Sequence, residues 1–136
     1  MNNAEFPTPP DDSAVFGTSQ RPIELSVVTD PTARVRALND AFRLSFAGGQ
    51  VVETPGVVEL PESNRIALLL AVRRFDSFDA ENDPHSEHDF GTVDVGGERF
   101  FWKIDSYDRA LLGHSLDPTD PGVTTRVLTI MRADEY

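Results

Sequence analysis

The dipeptide Gly96-Gly97 constrains the fold of this chain more than any other feature, because it separates two segments in which polar and apolar residues alternate. A two-residue glycine turn supplies the positive φ angles that join neighbouring antiparallel strands. Counting outward from the turn places Val93 opposite Phe100, and alternation then directs Phe100, Trp102 and Ile104 toward a core. The other face of the predicted hairpin receives Phe90, Asp94, Arg99, Phe101, Lys103 and Asp105.

Two helices and a C-terminal strand complete the predicted fold. Asp30-Pro31 favours a helix start, since aspartate caps the first turn and proline lacks an N–H that would be unpaired there. Apolar residues then recur at helical spacing up to Phe46, and Gly48-Gly49 is typical of a helix end. A second helix is expected at about residues 61–75, and Thr125–Met131 is expected to pair beside the hairpin.

The same patterns predict which faces are buried. The polar residues of the first helix are expected on its solvent side: Arg36, Asn39, Asp40 and Arg43. The second helix is apolar almost all round at residues 66–72, which predicts burial on more than one side. Residues 50–58 are expected to form a short strand that Pro55-Gly56 interrupts. The outcome is an α+β fold, a small antiparallel sheet with two helices packed on one face.

Residues 1–29 differ in composition from the remainder. They hold four of the ten prolines and a single basic residue, Arg21, so we expect a disordered or loosely docked acidic tail. Within this tail, residues 23–28 are apolar enough to add an edge strand to the sheet. Residues 30–136 are expected to form a single α+β domain.

Composition excludes several classes of protein. The chain has no cysteine, which excludes disulfides, thiolate metal sites and cysteine nucleophiles. A formal net charge of -11 argues against direct binding to nucleic acid, because phosphate neutralisation drives that affinity. No apolar run is long enough for a membrane span, and the N-terminus lacks the basic and apolar regions of a secretory signal. We therefore expect a cytoplasmic protein that does not contact membranes.

The acidity is concentrated in residues 76–94, which contain no lysine or arginine. Residues 76–89 of this segment are called the acidic loop below, and they include both His85 and His88. The expected binding surface consists of Asp79, Glu81, Asp83, His85, Glu87, His88, Asp89 and Asp94. The simpler interpretation is that these residues only cap turns in a solvent-exposed loop, as Asp and Asn commonly do.

Two catalytic interpretations compete with binding. His85, His88 and Asp89 could offer imidazole and carboxylate ligands to a divalent metal, although no distant third ligand is obvious. Alternatively, neighbouring strand residues could perform acid–base chemistry with the loop: Lys103, Asp105 and Tyr107. The simpler expectation for Lys103 is a surface ion pair with Asp89 or Asp105.

Several blocks of the chain resemble a bacterial domain of unknown function, number 3768. The blocks are Val35–Arg43, Glu81–His85 with Glu87–Gly91, Phe101–Asp105 with Tyr107-Asp108, and Thr124–Met131 with Glu135-Tyr136. The resemblance covers roughly residues 33–136. It implies a small cytoplasmic protein found on plasmids and other mobile elements, and it implies no established activity, substrate or cofactor.

The leading hypothesis is a non-enzymatic protein that binds a partner with a basic surface through its carboxylates. A nucleic-acid-mimicking inhibitor of a host defence protein, of the anti-restriction or anti-CRISPR kind, is one form of it. The alternative is a metal-assisted hydrolase or nuclease that uses His85, His88 and Asp89, with Lys103 as the electrophile. No cofactor is expected, and the oligomeric state is left open.

Overall fold

The computed structural model describes residues 30–136. The predictions of a tail at residues 1–29 and of an extra strand at residues 23–28 lie outside the described residues. Within the described part, Val35–Tyr136 forms one compact unit. None of the described helices is both long and apolar enough to cross a membrane.

Three helices, four strands and a final 3-10 turn make up the described chain. In order they are α1 (Pro31–Ser45), β1 (Gly49–Glu53), α2 (Pro55–Val58), α3 (Glu62–Arg73), β2 (Phe90–Val95), β3 (Glu98–Asp108), β4 (Thr124–Arg132) and the 3-10 turn Ala133–Glu135. The predicted α+β class is confirmed. The interrupted strand expected at residues 50–58 is shorter than predicted, because the chain turns into α2 at Pro55.

The four strands form one sheet in the order β1-β4-β3-β2. The hairpin register is confirmed, with Val93 opposite Phe100 and Asp94 opposite Arg99. Strand β4 pairs antiparallel with β3, as expected for the C-terminal strand. Strand β1 runs parallel to β4, so the sheet is mixed rather than purely antiparallel. Alternation of side chains indicates a strand but not its direction, which explains the difference.

The helices cover one face of this sheet. Trp102 is fully buried and lies opposite Ile130, so side chains from β3 and β4 form the floor of the core. Phe42 of α1 and Leu68 of α3 join the same cluster. The predicted core face of the hairpin is therefore the face that packs against the helices.

The two ends of α1 differ in how well the sequence predicts them. Asp30 caps the first turn, since its Oδ1 accepts hydrogen bonds from the backbone N–H groups of Thr32 (3.1 Å) and Ala33 (3.4 Å). The helix ends at Ser45, before the expected glycines, because Phe46 itself takes a left-handed φ of 59°. The predicted helix end at Gly48-Gly49 therefore lies beyond the observed end at Ser45, and Gly49 instead begins β1.

The expectation that α3 is buried on more than one side is wrong. Leu68 and Val72 are fully buried, but Ile66 and Leu70 are 49% and 38% exposed. Residues separated by four positions share one face of a helix, so Ile66 and Leu70 form an outward apolar stripe. Helix α3 therefore packs against the sheet through one side only.

Replacing Gly91 with alanine is expected to destabilise the fold by about 1–3 kcal/mol, because overpacking forces a rigid core to shift. A Cβ at Gly91 would lie 2.4 Å from Nε1 of the buried Trp102. Urea unfolding measures the loss. Gly113→Ala is the matched control, since the nearest atom to its Cβ would be 3.9 Å away. Equal stability of the two variants would contradict the packing described here.

Candidate functional site

The acidic loop rests on the polar side of α1. Arg36 donates from Nη1 to the backbone carbonyl of Ser86 over 2.8 Å, and Asn39 donates from Nδ2 to that of Glu87 over 2.9 Å. The prediction that this side of α1 faces solvent is wrong for its central residues, since Asn39 is 2% exposed and Arg43 is 3% exposed. Buried polar groups need partners, and the loop backbone provides one for Asn39, whereas Arg43 reaches the carbonyl of Phe75 just before the loop.

Arg43 joins helix, loop and sheet at one point. Its Nη1 lies 3.0 Å from Asp40 Oδ1, and its Nη2 donates to the backbone carbonyl of Phe75 over 3.1 Å. The guanidinium carbon lies 5.3 Å from the ring centre of Phe78 and 5.2 Å from that of Trp102. A planar guanidinium can stack on rings and donate in its own plane at once, which lysine cannot do.

His88 is held on the same side of the loop. Its Nδ1 lies 2.9 Å from Asp40 Oδ1, and its Nε2 lies 3.6 Å from Asp83 Oδ2. An ionised carboxylate only accepts hydrogen bonds, so Nδ1 carries a proton in the pair with Asp40. The imidazole also stacks on Phe78, with ring centres 3.7 Å apart and planes within 3°. These contacts orient His88 as a part of the fold.

Asp83 sets the path of the chain into β2. It is 7% exposed, and its Oδ1 accepts hydrogen bonds from the backbone N–H groups of Glu87 and His88, both over 3.0 Å. Within this turn Ser86 and His88 take positive φ values of 58° and 54°. Such values are costly for residues with a side chain, and the bonds to Asp83 offset the cost.

As a result of this turn, the side chains of Glu87, His88 and Asp89 line two different clefts. His88 lines one of about 370 Å³ with Asp83, Ser86 and Arg36. Glu87 and Asp89 line another of about 290 Å³, called the Glu87 cleft below. Its other lining residues come from α1, the end of β3 and the β3–β4 loop: Val35, Asn39, Ile104, Asp105, Ser106, His114, Ser115 and Pro118. The Glu87 cleft thus combines carboxylates, a histidine and apolar walls.

The carboxylates of the Glu87 cleft are costly to keep charged. Burial raises the pKa of Glu87, and the negative charge of Asp89 raises it further. Burial is also the main cause of the raised pKa of Asp89, against the opposing effect of its own backbone N–H. Within residues 30–136, no basic side chain forms an ion pair with Glu87 or Asp89. Among the described residues, the two carboxyls of the cleft therefore have no ion-pair partner.

A buried arginine lies nearby but is committed elsewhere. Arg126 of β4 donates from Nε to Asn39 Oδ1 over 2.8 Å and from Nη2 to the carbonyl of Pro118. Burial lowers the pKa of Arg126, and the charge of Glu87 opposes that effect. Glu87 thus receives attraction from Arg126 at a distance, while the guanidinium supports the wall of the cleft.

The strand residues predicted for acid–base chemistry lie apart from His88. Lys103 Nζ forms an ion pair with Asp105 Oδ2 over 2.8 Å, which confirms the simpler expectation of a surface ion pair. The hydrogen bond to Asp105 raises the pKa of Lys103. Tyr107 stacks against His114, with ring centres 6.3 Å apart. The candidate catalytic residues are therefore distributed over two clefts and the sheet, and they do not form one constellation.

The remaining acidic residues have separate roles. Asp79 Oδ1 accepts hydrogen bonds from the backbone of Glu81 (2.9 Å) and Asn82 (3.0 Å), which closes an exposed turn. Asp94 pairs with Arg99 across the hairpin over 3.0 Å, and this hydrogen bond lowers the pKa of Asp94. Glu81 and His85 are exposed. Of the predicted binding residues, Glu87 and Asp89 are the two that line the Glu87 cleft.

The structure does not bring together a metal site from the described residues. Among residues 30–136, no three His, Asp or Glu side chains are grouped so that they could hold a metal ion. His88 faces Asp40 and Asp83, whereas Asp89 lines the other cleft. The proposed ligands His85, His88 and Asp89 therefore receive no geometric support as a set.

Sequence reasoning missed the residues that build the site from a distance. The sequence pattern predicts solvent exposure for Asn39, Asp40 and Arg43, and it gives no role to Arg126 or His114. The sequence carried one indication, since Arg43 lies four positions after Asn39 and three after Asp40, and side chains at these spacings are neighbours on a helix. Nothing in the local pattern around Arg126 indicates its contact with Asn39, which is separated from it by 87 positions.

Residues 53–135 match the family model described as Protein of unknown function (DUF3768). The chain belongs to this DUF3768 family. The matched range confirms the resemblance in its loop, hairpin and C-terminal blocks, whereas α1 lies before it. No curated protein and no solved structure matches the chain significantly.

Replacing Arg43 with lysine is expected to destabilise this DUF3768 protein by about 2 kcal/mol, because lysine cannot keep both the stacked contacts and the hydrogen bond to Phe75. Chemical denaturation measures the change. Arg74→Lys provides the control, since Arg74 is exposed at the end of α3. An Arg43→Lys variant as stable as this control would show that Arg43 does not hold the loop.

The double variant Glu87→Gln/Asp89→Asn is expected to melt at a higher temperature than the wild type at pH 7. Raised pKa values mean that the folded state favours the protonated carboxyls, so wild-type stability is lost as pH rises through those values. Thermal melts from pH 4 to pH 8 test this. The advantage of the variant should shrink toward acidic pH, and a constant advantage would contradict the assignment.

Proposed function

We propose that this protein is a non-enzymatic binding protein whose acidic loop engages a basic surface on a partner protein. The observation behind this proposal is the Glu87 cleft, in which Glu87 and Asp89 lie together and burial raises the pKa of both carboxyls. A lysine or arginine of a partner would supply the missing counterion. Charge complementarity of this kind also speeds association and selects the partner.

The distribution of the other side chains favours binding over catalysis. A catalytic constellation needs its acid, base and electrophile within reach of one reacting atom. Here Nε2 of His88 faces Asp83, and Lys103 is paired with Asp105 on the sheet. The metal-assisted hydrolase therefore has no supporting geometry among the described residues, and partner binding is the function that we put forward.

A nucleic-acid-binding protein is the kind of partner that fits this chemistry best. Its binding channel is basic because it must neutralise phosphates, and exposed carboxylates can occupy the same positions. The net charge of -11 supports such mimicry. The narrower role as an inhibitor of a host defence protein, encoded by a mobile element and acting in the cytoplasm, is part of the proposal.

Affinity capture with the immobilised full-length chain tests the proposal. We expect basic proteins to be retained at low ionic strength and released at high salt, because exposed charge pairs are screened. Glu87→Gln/Asp89→Asn should reduce the quantity retained, as measured by quantitative mass spectrometry. Glu59→Gln/Asp134→Asn removes the same charge from exposed positions outside the Glu87 cleft and should retain as much as the wild type.

Two results would overturn the proposal. One is that no basic protein is retained at low ionic strength. The other is that both double variants lose retention equally, which would reduce the effect to net charge alone.

A further inference from the structure

The loop between β3 and β4 contributes His114, Ser115 and Pro118 to the wall of the Glu87 cleft, and the same loop displays leucines to solvent. Leu112 is 88% exposed and Leu116 is 99% exposed, and the residues between them include His114 and Ser115 of the cleft wall. Leu111 is 44% exposed. Single exposed apolar residues are common on protein surfaces, but here three exposed leucines fall within six positions of one loop.

This loop is ordered by its own hydrogen bonds. Asp108 Oδ1 accepts from the backbone N–H of Leu112 over 3.0 Å, and the N–H of Ser115 donates to the carbonyl of Ser106 over 3.0 Å. Ser115 Oγ lies 2.6 Å from Thr124 Oγ1 of β4. Leu111 takes a positive φ of 60°, which is costly for a branched side chain. The fold thus presents these leucines on an ordered frame instead of burying them.

We infer that the leucines and the Glu87 cleft form one docking surface for an amphipathic basic segment of a partner protein. The inference rests on the proposed function and names its partner more closely. A cationic side chain would enter the cleft toward Glu87 and Asp89, while neighbouring apolar side chains would cover Leu112 and Leu116. Apolar contact supplies affinity that a charge pair alone does not, because burial removes apolar area from water.

The test uses three synthetic peptides of equal length and the full-length protein. The first contains lysine and leucine, the second replaces each leucine with serine, and the third replaces each lysine with glutamate. Fluorescence anisotropy measures their dissociation constants. We expect the lysine–leucine peptide to bind about tenfold or more tightly than the lysine–serine peptide, and the glutamate–leucine peptide not to bind.

Leu112→Ser/Leu116→Ser should abolish the advantage of the lysine–leucine peptide and leave the lysine–serine peptide unchanged. Because both leucines are exposed, this variant is expected to fold, and its melting temperature checks that. Leu44→Ser is the matched control, since Leu44 is 53% exposed on α1 outside the β3–β4 loop. The control should keep the full advantage.

The outcomes separate this inference from the proposed function. Equal affinity for the two lysine peptides would overturn the role of the leucines and leave the charge-based proposal intact. If Glu87→Gln/Asp89→Asn binds both lysine peptides as tightly as the wild type, the proposed function fails at its own site. A change from dimer to monomer in Leu112→Ser/Leu116→Ser, seen by light scattering, would assign the surface to a second copy and overturn the inference.

Discussion

The buried guanidinium of Arg43 is the interaction on which the rest of the site depends. It connects α1 to the carbonyl of Phe75 and lies against both Phe78 and Trp102. A buried charge without partners is costly, and these contacts offset that cost. Because Phe78 also stacks on His88, Arg43 helps to position the acidic loop together with Arg36 and Asn39. The loop is therefore docked by polar and aromatic contacts rather than by an apolar core of its own.

That mode of docking explains why neighbouring loop residues have different environments. The backbone of Glu87 is tied to Asn39 of α1, and its N–H is tied to Asp83. With the backbone fixed, His88 turns toward Asp40 while Glu87 and Asp89 line the other cleft. The resulting separation assigns a structural role to His88 and leaves the two carboxylates facing a cavity. Within this short segment, His88 contacts the fold, and its neighbours Glu87 and Asp89 line the candidate site.

Local patterns predicted the parts of this fold that local chemistry determines. The Gly96-Gly97 turn set the hairpin register, and Asp30 set the start of α1. The buried polar side of α1 could not be predicted in this way, because Asn39 and Arg43 each form hydrogen bonds with residues distant in sequence. The exposed stripe of α3 was not predicted, because a helix that is apolar almost all round does not indicate which of its sides packs against the sheet. In both cases long-range contacts decided burial.

The candidate site was predictable in composition but not in geometry. The density of charge indicated the acidic loop, but the sequence did not distinguish Asp83 and His88 from Glu87. In the structure, Asp83 and His88 form contacts within the fold. Glu87 and Asp89 differ in that burial raises the pKa of their carboxyls. This burial depends on residues from β3 and the β3–β4 loop that line the same cleft. A fold selected for stability alone would neutralise or expose such groups. The proposed cationic, apolar partner segment would give these carboxyls a counterion and would cover the leucines of the β3–β4 loop in the same contact.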